Sequence, residues 1–261
     1  MQLAPRSSSS GVLEIQTKPH RLKEEVTARE KTIGIIGGVG PLATAELFLR
    51  LIKGTPAETD QDHLHILIDS NPKMPDFEEA LLGDGASPLP ALQRSACNLE
   101  QAGSDFLLLP CAEAHFWRDE IQEEVSIPVL SMIELPLLAI KQHHVGLLAG
   151  TAALRLRLYH EPLEVGGVRL IEPEEPNQQN ISTAIGLVKK GEDLAFAHQV
   201  LDAAVADLKR TGAQALLLGC AELSILVKQQ QQVPLPVYDA LDMLAAEAIL
   251  YARMKRLPID F

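Results

Sequence analysis

The segments Phe106–His115 (FLLLPCAEAH) and Ala215–Ser224 (ALLLGCAELS) follow one pattern. Each begins with a leucine run of strand length, stops at Pro or Gly, and then places a cysteine directly before Ala-Glu. We interpret the two segments as an internal repeat, in which Cys111 and Cys220 each lie at the end of a strand in their own half of the chain. The repeat predicts two halves that face each other, with the two thiols on either side of one small molecule.

The length and charge of the chain favour a function that involves a small molecule. Its 261 residues suit one large α/β domain or two similar ones, and the repeat favours two. Asp and Glu outnumber Lys and Arg by 35 to 23, and the net charge of −12 argues against nucleic acid or anionic lipid as a partner. The sequence has no apolar run of the roughly 18 residues that a membrane span requires, and no apolar signal core. We therefore expect a cytoplasmic protein without a membrane partner.

The cysteines are predicted to be free thiols. There are 3 of them, and no pair has the C-x-x-C spacing that is typical of zinc sites and redox motifs. We therefore expect neither a disulfide framework nor a bound metal. Cys97 falls inside a predicted helix at residues 87–102, where a buried structural thiol is the better interpretation.

Strand-like and helix-like segments alternate along both halves, which indicates an α/β fold with parallel sheets. Residues 1–30 have little apolar periodicity and are predicted to form a disordered tail. We assign residues 31–134 to the first α/β half, together with a C-terminal helix at about residues 240–256, and residues 135–239 to the second half. Other predicted elements are helices at 152–161 and 193–211 and strands at 127–134 and 168–171.

A glycine turn follows the first predicted strand, Thr32–Ile36. The turn leads into a helix-like segment, and its backbone N–H groups, together with the positive end of the helix dipole, can bind a carboxylate or a phosphate. Gly38, Val39 and Gly40 are therefore predicted to bind the substrate.

Two other interpretations of this turn stay open. Gly38, Gly40 and Ala43 also fit the G-x-G-x-x-G/A dinucleotide fingerprint, in which Asp69, at the end of the second predicted strand, would bind a ribose hydroxyl. That fingerprint alone is weak, and Pro41 within it is unusual. The turn can also be a purely structural connection between a strand and a helix.

Asn71 follows the second predicted strand, at residues 63–69. Polar residues at the carboxyl end of a parallel strand point into the crevice where α/β sheets bind ligands, so Asn71 is a candidate substrate contact. A turn-forming Asn before Pro72 explains the same pattern equally well.

Two opposed thiols suit one reaction in particular. The thiolate is the reactive form of cysteine, and a helix N-terminus lowers the pKa of a thiol below its ordinary value of about 8.5. When two such thiols lie on opposite sides of a tetrahedral carbon, one can remove the Cα proton while the other delivers a proton to the opposite face. Such a reaction inverts the configuration of the carbon.

The sequence from about Thr32 to Tyr251 resembles the aspartate/glutamate racemase family of cofactor-independent amino-acid racemases. The resemblance rests on five segments of the sequence. They are IGIIGGVGPLATAELF (33–48), DSNP followed by MP (69–75), PC (110–111) followed by AH (114–115), IPVLSMIE (127–134), and GC (219–220) followed by EL (222–223). It implies two pseudo-symmetric α/β domains with the active site in the cleft between them, a homodimer, and neither pyridoxal phosphate nor metal. It also implies that Cys111 and Cys220 are the acid/base pair.

The chain departs from the family pattern in the shell that would bind the substrate. Aspartate-type members usually carry Asn-Thr after the first cysteine, where this chain has Ala112 and Glu113, and Thr after the second, where it has Ala221. Most groups that would hold two carboxylates are therefore missing or reversed in charge. Further family residues, including an Arg that binds the distal carboxylate in some aspartate racemases, are replaced at Phe77, Ala153 and Glu161.

We predict a racemase or epimerase of an aspartate- or glutamate-type amino acid, with Cys111 and Cys220 as catalytic residues and no cofactor. One alternative is a family member that uses the same thiols for another proton-transfer, cyclisation or lyase reaction. The others are a catalytically weakened binding protein and a nucleotide-dependent oxidoreductase. The predicted substrate-binding residues are Gly38, Val39, Gly40, Asn71, Ala112, Glu113, His115, Thr151, Ala221 and Glu222.

Overall fold

The computed structural model describes residues 29–229 and 233–254. Most of the predicted tail at residues 1–30, and the end of the predicted C-terminal helix, lie outside this part of the chain. In the described part, no helix is long and apolar enough to cross a membrane.

The first half of the chain alternates strands and helices and contains two 3-10 turns, at Asp60–Asp62 and Glu113–Trp117. Its elements are β1 (Ile33–Gly37), α1 (Pro41–Gly54), β2 (Ile66–Ser70), α2 (Phe77–Leu82), α3 (Leu89–Gln101), β3 (Phe106–Leu108), α4 (Arg118–Glu124), β4 (Val129–Leu130) and α5 (Leu135–Ala139).

The second half repeats the alternation. Its elements are β5 (His144–Leu148), α6 (Thr151–Arg155), α7 (His160–Val165), β6 (Arg169–Ile171), α8 (Glu175–Lys190), α9 (Leu194–Arg210), β7 (Ala215–Leu218), α10 (Ala221–Gln229), β8 (Val237–Asp239) and α11 (Ala240–Arg253).

The strands form two four-stranded sheets with the same topology. The order is β2-β1-β3-β4 in one sheet and β6-β5-β7-β8 in the other, and all neighbouring strands are parallel. The predicted α/β architecture with two parallel sheets is therefore confirmed. The exact domain boundaries stay a prediction.

This strand order creates an equivalent crevice in each sheet. The chain leaves β1 towards β2 on one side and returns to β3 on the other, and β5 has the same relation to β6 and β7. In open α/β sheets, ligands bind at the carboxyl ends of the strands at such a switch point. The glycine turn follows β1, and Cys111 comes shortly after β3. Cys220 occupies the corresponding position after β7.

Side-chain alternation along the strands explains how the core is arranged. Successive residues of a strand point to opposite faces of its sheet. One apolar cluster is shared by both halves, and separate outer clusters cover the other face of each sheet. In β7, for example, Ala215 and Leu217 belong to the shared cluster, whereas Leu216 and Leu218 belong to the outer one. The shared cluster fixes the two sheets relative to each other.

The last helix also connects the two halves. α11 follows β8 of the second sheet, but it packs against α1 and α5. Its N-terminus is capped by Asp239, whose carboxylate accepts a hydrogen bond from the N–H group of Leu241 at 2.9 Å.

Several elements differ from the sequence prediction. The predicted helix at 152–161 is split into α6 and α7, because Arg157 adopts a left-handed conformation with φ of 55° and Pro162 is tolerated only in the first turn of a new helix. The predicted strand at 127–134 is reduced to the two residues of β4. The helices α2, α5 and α8 were not predicted.

Candidate active site

Cys111 and Cys220 line one cavity of about 270 Å³. Its walls are formed by residues 38–42, 74–78, 110–113, 150–151 and 220–222, and by one face of α8. These segments follow β1, β3, β5 and β7 at the carboxyl edges of both sheets, or lie on the neighbouring helices α2 and α8. The structure therefore brings together the two repeated cysteine units on which the sequence analysis began.

A buried tyrosine fixes the backbone beside Cys220. The hydroxyl group of Tyr159 donates a hydrogen bond to the carbonyl oxygen of Gly219 at 3.2 Å. A Cβ atom at Gly219 would lie only 2.6 Å from the Tyr159 ring, so this position requires glycine. The "Gly-Cys" of the second repeat unit thus reflects close packing directly before the thiol.

Each thiol donates to the glutamate two residues further along the chain. The Sγ atom of Cys220 lies 3.0 Å from Oε2 of Glu222, and that of Cys111 lies 3.5 Å from Oε2 of Glu113. Both pairs arise from the repeated Cys-Ala-Glu sequence. The site therefore contains two matching thiol–carboxylate pairs.

The two glutamates also reach across to the opposite half. A Cβ atom at Gly150, directly before α6, would lie 2.3 Å from Oε1 of Glu113. A Cβ atom at Gly40, directly before α1, would lie 3.1 Å from Oε1 of Glu222. The protein's own carboxylates therefore lie against the glycines that precede α1 and α6.

The pKa values of the two thiols are raised, whereas the sequence analysis expected a helix N-terminus to lower them. Burial, followed by the negative charge of Glu113, raises the pKa of Cys111 well above its ordinary value. Burial and then the charges of Glu222 and Glu113 raise the pKa of Cys220 in the same direction. Backbone N–H groups do stabilise each thiolate, but their effect is smaller than that of burial. Both thiols are therefore protonated at neutral pH when no ligand is bound.

His115 connects the first cysteine unit to the segment after β4. Its Nδ1 atom lies 2.7 Å from the carbonyl oxygen of Cys111, and its Nε2 atom accepts a hydrogen bond from the N–H group of Met132 at 3.1 Å. Both contacts are satisfied by a neutral ring with its proton on Nδ1. Burial lowers the pKa of His115 from 6.5 to about 4. His115 does not line the cavity, so its contacts support the backbone of Cys111.

The depressed pKa of His115 predicts a loss of stability in mild acid. Its folded-state pKa lies below its unfolded value, so the stability that the neutral ring contributes is present above pH 6.5 and is lost as the pH falls towards 4. Between about pH 7 and about pH 5, wild-type protein should lose about 2 kcal/mol more unfolding free energy than a His115→Gln variant. Urea denaturation at both pH values measures this difference. The exposed His143, changed to Gln, serves as the control, and equal losses in wild type and His115→Gln would contradict the assignment.

The glycine turn is shaped by close packing. Gly38 has a φ of 91°, and a Cβ atom there would lie 2.3 Å from the backbone of Asn71. The N–H group of Gly38 donates to the Thr44 hydroxyl at 2.9 Å, so this donor is used within the protein. Gly38, Val39 and Gly40 nevertheless form part of the cavity wall.

Asn71 and Asp69 lie outside the cavity wall. The side chain of Asn71 accepts a hydrogen bond from the N–H group of Lys73 at 3.1 Å, which is a turn contact. Asp69 lies at the end of β2 with Ile36 as its partner on β1, but it does not line the cavity, so the cavity gives the dinucleotide interpretation no support. The remaining predicted residues that line the cavity are Ala112, Glu113, Thr151, Ala221 and Glu222.

The sequence analysis did not predict twelve residues of the cavity wall, and five of these are polar or lie on α8. Ser182, Ile185 and Lys189 share one face of α8, and the hydroxyl groups of Ser182 and Thr151 lie 2.8 Å apart. The other two residues, Asp76 and Glu78, belong to the segment that begins α2.

Lys189 is the one residue with a cationic side chain among those that line the described cavity. Burial alone would lower the pKa of Lys189, but the negative charge of Glu222, joined by Cys220, Cys111 and Glu113 when these are ionised, outweighs that effect and raises it. The ammonium group is therefore charged at neutral pH.

As for metals, residues 29–229 and 233–254 contain no group of three or more His, Cys, Asp or Glu side chains that could hold an ion.

Comparisons with known proteins give a consistent result. The family model for Asp/Glu/hydantoin racemase matches residues 36–248. The solved structure of Picrophilus torridus aspartate racemase has a TM-score of 0.77 and 30% identity, over 85% of this chain and 94% of that chain. An aspartate racemase homologue from Pyrococcus horikoshii OT3, at 23% identity, shares the fold with a TM-score of 0.69, over 86% of this chain and 100% of that chain.

A relative of assigned activity matches over a similar length. The broad specificity amino-acid racemase RacX of Bacillus subtilis (strain 168) is 25% identical over 223 residues, which is 83% of this chain and 96% of that protein. The family model covers most of the chain and includes both cysteine units. The chain therefore belongs to the Asp/Glu/hydantoin racemase family.

Proposed function

We propose that this protein is a racemase or epimerase that inverts the Cα of an amino acid without a cofactor, using Cys111 and Cys220 as opposed acid and base. The observation that carries this proposal is that both thiols line the same cavity from equivalent positions in the two sheets. The activities of the related aspartate racemase and of RacX support the reaction class. A cytoplasmic homodimer is part of the proposal and rests on the resemblance to the family.

The reaction begins when one thiol loses its proton. The carboxylate that already accepts a hydrogen bond from each thiol, Glu113 or Glu222, is the nearest acceptor for that proton. Formation of the thiolate becomes easier when the α-ammonium group of a bound amino acid lies near the sulfur, because a positive charge there favours the ionised form. The raised pKa values of the free protein are therefore compatible with activity in the complex.

The thiolate then removes the Cα proton from one face of the substrate. The electron pair of the broken C–H bond is delocalised into the substrate carboxylate, and the ammonium group of Lys189 stabilises the added negative charge. The opposite thiol donates its proton to the other face of the carbon. The first sulfur ends as a thiol and the second as a thiolate, and proton exchange with solvent restores the starting state.

Exchange of the Cα proton with solvent deuterium tests the proposal. We expect at least one member of a panel of L-amino acids, incubated with the protein in D2O, to lose its Cα proton signal in NMR spectra while the D-enantiomer accumulates. The panel should include acidic, neutral and basic side chains. If no amino acid exchanges, the racemase proposal is wrong, and a binding protein that retains the cavity becomes the better account.

A further inference from the structure

The charge of the cavity wall indicates which kind of substrate it accepts. The residues that line the described cavity carry four carboxyl groups and one ammonium group. Three of the charged residues, Glu113, Glu222 and Lys189, lie near the thiols, whereas Asp76 and Glu78 form the wall at α2. A substrate with two carboxylates would meet mostly like charge, which electrostatic complementarity disfavours.

Two carboxylates of the protein lie where a substrate carboxylate would approach the glycine turns of the cavity wall. Glu222 lies against Gly40 before α1, and Glu113 lies against Gly150 before α6. The start of α1, a helix of 14 residues, is an ordinary place for a substrate carboxylate, and the negative charge of Glu222 disfavours an anion there. Lys189 is therefore the remaining anchor for an anion in the cavity wall. One ammonium group suits one carboxylate, namely the one attached to Cα.

The wall at α2 combines an aromatic ring with two carboxylates. Phe77 lines the cavity between Asp76 and Glu78, and its ring is held edge-on against Trp117, with 5.7 Å between the ring centres. Asp76 caps α2 by accepting a hydrogen bond from the N–H group of Glu79 at 2.9 Å, so its carboxylate has a fixed position. An apolar surface flanked by carboxylates is complementary to a side chain with an aliphatic stem and a cationic end.

We propose that the cavity selects an α-amino acid with a cationic side chain, which Asp76 and Glu78 recognise while Lys189 holds the α-carboxylate. This inference rests on the proposed racemase function and names its substrate class. Lysine and norleucine provide a direct test, because their side chains differ mainly in the terminal ammonium group. Glutamate represents the dicarboxylates.

Cα exchange in D2O should be measured for L-lysine, L-norleucine and L-glutamate with wild-type protein. We expect kcat/KM for lysine to exceed that for norleucine by about ten-fold, since two partly exposed charge pairs together contribute about one factor of ten. Glutamate should be the poorest of the three. Equal values for lysine and norleucine, or a higher value for glutamate, would overturn the inference.

A double variant identifies the residues that recognise the side chain. Asp76→Asn with Glu78→Gln keeps the cap of α2, because Asn caps helices as well as Asp does. We expect this variant to reduce the lysine-to-norleucine ratio of kcat/KM by about ten-fold. Glu79→Gln removes one negative charge from the same helix at a residue outside the cavity wall, and it should leave the ratio unchanged. An unchanged ratio in the double variant would show that Asp76 and Glu78 do not recognise the side chain of the substrate.

Calorimetric titration of the same three amino acids separates the inference from the proposed function. Lysine that binds more tightly than norleucine, with no Cα exchange for any amino acid, supports the substrate class and contradicts racemisation. Exchange that is fastest with glutamate supports racemisation and contradicts the substrate class. A protein that does not bind lysine and exchanges the Cα proton of no amino acid contradicts both.

Discussion

Replacement of either Cys111 or Cys220 by serine should lower the rate of racemisation by at least about 10³-fold. A serine hydroxyl has nearly the same shape as a thiol but a far higher pKa, so it neither removes the Cα proton nor delivers one efficiently. Because the two sulfurs act on opposite faces of the substrate, loss of one cannot be compensated by the other. Racemisation should be followed by chiral chromatography, and the double variant should be no less active than the weaker single variant.

Cys97 provides a matched control for this experiment. It is a free, half-buried thiol in α3 that lies outside the cavity wall. Cys97→Ser should therefore retain the activity of the wild-type protein. Racemisation within ten-fold of wild type in Cys111→Ser or Cys220→Ser would show that the reaction uses other groups.

Replacement of Arg50 by methionine should destabilise the protein by about 3 to 5 kcal/mol. The Arg50 side chain is only 5% exposed, and its guanidinium donates to Asp239 at 2.8 Å, to Asp242 at 3.0 Å and to Ser224 at 2.6 Å. Ser224 in turn donates to Asp239. These contacts join α1, α10 and the start of α11. Methionine fills much of the volume of the arginine stem but leaves the buried carboxylate of Asp239 without its cation.

A surface ion pair supplies the comparison for this loss of stability. Glu164 contacts Arg157 at 2.7 Å, and both side chains are at least half exposed. Glu164→Ala should cost less than about 1 kcal/mol. Urea denaturation of wild type and both variants measures the two values. A cost for Arg50→Met as small as that for Glu164→Ala would mean that the Arg50 network contributes little to stability.

The strand pattern and the repeat made much of the fold predictable from the sequence. Both repeat segments contain a leucine run of strand length. Because the two runs are equivalent, Cys111 and Cys220 were expected to follow corresponding strands of two sheets, as they do in the structure. The glycine turn after β1 was predictable because Gly38 needs a positive φ. Such local signals identify segments, but they do not show which segments meet in space.

Lys189 illustrates what the sequence could not show. It lies on α8, where the buried residues 181, 184, 185 and 188 follow helical spacing, so the helix itself was predictable although the sequence analysis did not predict it. Even a correctly predicted α8 would not have indicated that its cavity-facing side, with Ser182 and Lys189, reaches the thiols. That placement depends on how the second sheet packs against the first.

The chemistry of the thiols was also misjudged for a physical reason. Proximity to a helix start favours the thiolate of Cys220, and this effect can be read from the sequence. Burial and the charge of Glu222 act in the opposite direction and outweigh it. Glu113 is a near neighbour of Cys111 in the sequence, so its charge beside that thiol can also be read from the sequence. The crossing of each glutamate to the opposite half appears only in the folded protein.

The fate of the Cα proton during the first turnovers tests most directly whether two opposed thiols carry out the reaction. An L-amino acid substrate should be incubated with the protein in D2O, and the reaction should be stopped when only a small fraction has been converted. If one thiol removes the proton and the other delivers a deuteron, the D-product carries deuterium at Cα while the remaining L-substrate keeps its proton. Equal deuterium in the product and in the remaining substrate would mean that a single base serves both faces, which would contradict the roles assigned to Cys111 and Cys220.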